Sequence, residues 1–66
     1  MTKFEREYHE AFDNWGRAME IVERRTEELK RIEREGRREK NGFRLRFLVS
    51  EYNQRKAELE ALEELL

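Results

Sequence analysis

Apolar residues recur along the first half of the chain at Phe4, Tyr8, Ala11, Trp15, Ala18, Val22, Leu29 and Ile32. The steps alternate between three and four, with one polar gap at Arg25. That spacing lays a single stripe along a helix. "TKFE" at its start predicts a capping box, with Thr2 as N-cap and Glu5 three places on. Arg31 and Arg34 suit the negative end of the helix dipole, and Gly36 is the expected C-cap. The pattern therefore predicts one helix over residues 2–35. "GRREKNG", residues 36–42, reads as a loop, because two glycines and an Asn-Gly pair bound a polar stretch.

A second stripe follows over residues 43–66: Leu45, Leu48, Tyr52, Arg55, Leu59, Leu62 and Leu66. Folding the chain near residue 38 or 39 sets Ile32 against Leu45, Arg25 against Tyr52 and Trp15 against Leu62. The fold class expected is all-α: an antiparallel helical hairpin, coiled-coil-like, forming one domain over 1–66. "FRLRFLV", residues 43–49, alternates apolar and basic, so a short strand there with Ser50 capping a shorter helix is an alternative. A three-helix bundle, with a break at "DNWG", is another. In that arrangement Phe4, Tyr8 and Phe12 pack back on the same chain.

The hairpin leaves apolar side chains without a partner. Phe4 and Tyr8 project beyond Leu66, Phe12 and Met19 lie beside the stripe, and Ile21 lies on its other flank. Burying one such side chain is worth about 1.5–3 kcal/mol. A chain of 66 residues with no cysteine has few other sources of stability. Dimerisation into a four-helix bundle is therefore expected, with Phe4, Tyr8, Phe12, Trp15, Met19, Ile21 and Val22 at the interface. Trp15 sits between Ala11 and Ala18 and is read as a core residue on the seam. Arg25 and Arg55 occupy seam positions, where a polar residue sets register.

Charge adds orientation. Charged residues make up 47% of the chain, yet its net charge is −1, which fits a solvated helical surface. From Lys30 to Arg46 there are eight basic and three acidic residues. From Ser50 to Leu66 there are five acidic and two basic. An antiparallel dimer would set the basic loop of one chain beside the acidic end of the other. Arg34, Arg37, Arg38, Lys40, Arg44 and Arg46, with Phe43 and Phe47 among them, form a candidate basic patch for a phosphate backbone. The slightly acidic whole makes nucleic acid the less favoured partner.

Candidate chemistry is sparse. Glu5, His9 and Asp13 share a helix face but supply only weak metal ligands, and no Glu-x-x-His pair is present. Ser50, the only serine, has no local histidine to activate it. No glycine-rich phosphate loop occurs. Neither catalysis nor a metal, cofactor or small-molecule substrate is expected. No apolar run approaches the length of a membrane span, and no signal-peptide core is present, so a cytoplasmic protein is expected. Two functions remain: a self-association module, or a small protein-binding module using Phe4, Tyr8, Phe12 and Trp15. Absence of cysteine and proline and the ending "ELEALEELL" also fit a de novo designed helical protein.

Overall fold

A computed structural model describes all 66 residues. It contains three helices and no strand: α1 Lys3–Asp13, α2 Trp15–Arg38 and α3 Gly42–Glu63. The fold is thus all-α, and its helix count is that of the three-helix alternative rather than of the two-helix hairpin.

The first helix breaks where a single continuous one is expected. Asn14 adopts an extended backbone, φ −146° and ψ 110°, and closes both neighbouring helices. Its N–H donates to the Glu10 carbonyl, 3.1 Å, ending α1. Its side-chain Oδ1 accepts from the Arg17 N–H, 3.0 Å, starting α2. One residue with a short polar side chain thus satisfies both helix ends, and no loop is needed. A β-carbon on Gly16 would stand 3.4 Å from that Oδ1, an ordinary contact, so the cap does not depend on the glycine.

The other boundaries also move. Gly36 lies inside α2, which runs on to Arg38 with Glu39 as its C-cap. The connection shrinks from 36–42 to residues 39–41, and no glycine adopts a positive φ. Asn41 does not make a tight Asn-Gly turn. It caps α3 instead, accepting from the N–H groups of Phe43 (2.9 Å) and Arg44 (3.2 Å). Residues 43–49 are helical, so "FRLRFLV" is no strand, and Ser50 lies mid-helix rather than at a cap. The last helix stops at Glu63, short of Leu66. The predicted capping box does form: Thr2 Oγ1 accepts from the Glu5 N–H, and Glu5 Oε1 accepts from the Thr2 N–H.

The shorter connection changes the α2–α3 register. Leu45 Cδ1 lies 3.9 Å from where a β-carbon on Gly36 would sit, one turn further along α2 than Ile32, its expected partner. Arg25 accordingly reaches Glu58 and not Tyr52.

The core gathers where all three helices meet. Ala11, Ala18, Ile21 and Leu62 form its buried centre, with Phe4, Tyr8, Val22 and Leu65 packed around it. At about 1.5 Å of rise per residue, α1 is about 16 Å long and α2 about 36 Å. α1 therefore covers only the lower part of the α2–α3 hairpin. It packs mainly on α2 and touches α3 sparsely. The body measures 42 × 21 × 15 Å between its Cα extremes, so it is long and flat. No helix is long and apolar enough to cross a membrane.

Candidate interaction surface

Ion pairs line the side of the hairpin that α1 occupies. Glu10 accepts from Arg17 Nε at 2.8 Å, and Glu7 accepts from Arg24. Arg17 and Arg24 are seven residues apart and share one stripe of α2, so α1 lies along that stripe. Deeper in the same contact, Glu7 Oε1 accepts from Arg25 Nε at 2.7 Å. The other arm of Arg25 reaches Glu58 at 2.9 Å, and its guanidinium carbon stands 5.5 Å from the centre of the Phe4 ring. Arg25 and Glu7 are 4% and 6% exposed. No buried side-chain nitrogen or oxygen lacks a partner. Burial works to lower the Arg25 pKa, but hydrogen bonds to Glu7 and Glu58 outweigh it and raise the value above its ordinary one. This group stays charged and locks three helices together.

Trp15 and Met19 face away from α1. In a helix of 3.6 residues per turn they lie roughly opposite the Arg17–Arg24 stripe. With Val22 they form an apolar stripe on the open side of α2. Trp15 is 63% exposed and Met19 46%, whereas Val22 is half-buried. The reading of Trp15 as a core residue is thus corrected. The break at Asn14 turns α1 to the other side of α2, and small side chains, Ala11 and Ala18, pack the centre in its place. The expected interface residues divide accordingly. Ile21 is fully buried within the chain and offers no surface. Phe4 and Tyr8 are half-buried against the core, their ring centroids 6.0 Å apart. Phe12 is 70% exposed at the α1–α2 corner.

The open side continues along α3. Leu45, Leu48, Val49 and Tyr52 meet Ile32, Glu33, Gly36 and Arg37 around a groove of about 370 Å³ near the tip. Glu33 and Arg37 stand eighteen residues beyond Trp15 and Met19, five whole turns, so the groove and the tryptophan share one side of α2. Leu45 and Val49 remain exposed. Periodicity predicts Leu45 and Leu48 on the seam, whereas the fold leaves Leu45 exposed beside Val49. Five of the seven residues from Phe43 to Val49 are apolar, which spreads apolar side chains around α3 rather than along one stripe.

The expected basic patch is distributed around the tip rather than gathered on one face. Arg37 pairs with Glu33 at 2.6 Å, and Arg44 with Glu39 at 3.4 Å. Arg34, Arg38, Lys40 and Arg46 are exposed. Phe43 and Phe47, 83% and 70% exposed, lie on the flank of α3 opposite Leu45 and Val49. Arg55 is half-exposed, with Glu58 3.8 Å away. No three His, Asp or Glu side chains come together in an arrangement able to hold a metal ion. Comparison with family models, with curated proteins and with solved structures returned no match.

Proposed function

We propose that the chain is a helical protein-interaction module whose docking surface is the open side of the α2–α3 hairpin, from Trp15 and Met19 to Leu45 and Val49. The supporting observation is the contrast between the two sides of the hairpin. One is covered by α1 through ion pairs; the other presents a tryptophan, a methionine and aliphatic side chains to solvent. These exposed apolar side chains gather on one side of the hairpin instead of being scattered singly over the surface. Tryptophan is also the side chain that gains most on burial at a protein contact. The reading differs from the expected Phe4–Tyr8–Phe12–Trp15 surface, because Phe4 and Tyr8 are already committed to the core.

Selection of binders from a helical-peptide display library on the immobilised chain tests this. Selected peptides are expected to lose binding to a Trp15→Glu/Met19→Glu double variant whose thermal unfolding matches the parent. Equal binding to both chains overturns the reading.

Self-association is the second reading. The exposed carboxylates Glu60, Glu63 and Glu64 lie at one end of the hairpin and the basic tip at the other, so an antiparallel homodimer in a four-helix bundle would pair opposite charges. A sedimentation mass of two chains at micromolar concentration favours it; a mass of one chain favours the heterologous partner.

A further inference from the structure

We infer that the tip groove of the open side receives an acidic amphipathic helix from another protein, an inference that rests on the docking surface proposed above and specifies its partner. The groove floor is aliphatic: Ile32 on α2, and Leu45, Leu48 and Val49 on α3, with Gly36 leaving the α2 wall low. Its volume of about 370 Å³ accepts a few leucine-sized side chains. Two antiparallel helices that leave a long apolar furrow offer a third helix the contact they offer each other.

The rims decide the charge of that helix. Lys30 and Arg37 stand seven residues apart along the α2 edge. Lys56 stands seven beyond Val49 on the α3 edge, with Arg46 three before it. All four are exposed. On the α2 edge both cations are paired, Arg37 with Glu33 at 2.6 Å and Lys30 with Glu27 at 3.7 Å, so the positive charge of the rims lies on the α3 edge. Carboxylates return on the α3 side only at Glu60 and Glu63, below the groove. A helix with leucines toward the floor and glutamates on its flanks would meet Arg46 and Lys56 on the α3 edge and a charge-balanced α2 edge on the other side.

A related contact, with carboxylates meeting cations along one flank only, exists on the opposite side of the hairpin. There α1 sets Glu7 and Glu10 against Arg24, Arg25 and Arg17 of α2 while its apolar residues enter the core. A nucleic-acid strand fits the groove poorly, because its phosphates would find the rims but leave the aliphatic floor unfilled.

The test uses two fluorescein-labelled, lactam-stapled helical peptides with identical leucines at i, i+3 and i+7. One carries glutamates on both flanks and the other lysines. Fluorescence anisotropy is expected to show the glutamate peptide binding on the order of tenfold tighter or more, with the difference shrinking as salt rises. Val49→Glu should abolish binding, and Arg46→Glu/Lys56→Glu should reverse the preference. All three positions are exposed, so folding is checked simply by matching helicity. Phe47→Ala, on the opposite flank of α3, should leave the peptide affinity unchanged, which ties binding to the groove side. Equal binding of the two peptides, binding of neither, or binding indifferent to Val49→Glu overturns the inference. So does displacement of a chain dimer by the glutamate peptide, since the occupant would then be a second copy.

Discussion

Arg25 Nε donates to Glu7 Oε1 at 2.7 Å across the α1–α2 contact, and both side chains are almost wholly buried. Two residues eighteen apart in sequence thereby fix where the first helix lies. The pair does not stand alone: Glu58 takes the second arm of the guanidinium and the Phe4 ring lies 5.5 Å away.

Removing one member of this group should be severe. Arg25→Ala leaves Glu7 buried without its innermost partner, and a loss of about 3–5 kcal/mol is expected, the usual cost of stranding a buried charge. Replacing Glu7, Arg25 and Glu58 together with Leu, Met and Leu should instead preserve stability or raise it, since no charge is then left to desolvate. Urea titrations of the two variants check both. A triple variant as unstable as Arg25→Ala would show that the ion pairs themselves are needed.

Ile21 and Leu62 are the largest fully buried side chains in the protein. Ile21→Ala should cost about 2–5 kcal/mol through lost transfer energy and the cavity left behind. Trp15→Ala, despite removing a larger group, should cost under about 1 kcal/mol, because most of the indole is already in water. The order of the two midpoints in thermal unfolding is the measurement.

Asn14 is the hinge of the fold. Asn14→Ala removes the α2 N-cap and should cost about 0.5–2 kcal/mol. Adding Gly16→Ala raises helix propensity at the same place by about 1 kcal/mol. The double variant should favour a continuous first helix, exposing the core face of α1 and driving chains to pair. Size-exclusion and sedimentation are expected to show a concentration-dependent dimer that the parent shows less of.

The capping box gives α1 an acid sensitivity. The Glu5 carboxylate accepts from the Thr2 N–H and from the Thr2 hydroxyl, and the backbone hydrogen bond, then the side-chain one, lowers its pKa. A carboxylate whose folded value is depressed stabilises above its unfolded value, and that contribution fades as pH falls through the folded one. The amide chemical shifts of residues 3–8 should therefore move toward random coil on acidification below the ordinary carboxylate range. Thr2→Ala should remove this dependence while leaving α2 and α3 unchanged.

Much of this architecture is written in local pattern. The three–four spacing of apolar residues specifies helices, "TKFE" specifies the start of α1, and the polar stretch near residue 40 specifies the reversal, because each depends only on neighbours in sequence. The break at Asn14 was harder to see. The apolar stripe passes through Trp15 without a change of phase, and a single asparagine is a weak signal until its side chain is found on the Arg17 amide. The register of the hairpin escaped for a similar reason: heptad stripes align equally well one turn apart, and the length of the 39–41 connection chooses between them.

What the sequence by itself determined is the helical class, the cap at Thr2 and the abundance of apolar side chains on α1 and α2. Tertiary structure alone decided which of those side chains are covered. Ile21 and Trp15 are both large and apolar, and periodicity favours Trp15 for the interior. Yet Ile21 is buried and Trp15 exposed, because α1 packs on the arginine side of α2, where Glu7 and Glu10 meet Arg24 and Arg17. Burial depends on which face a neighbouring helix occupies, and that choice is made by contacts between residues distant along the chain.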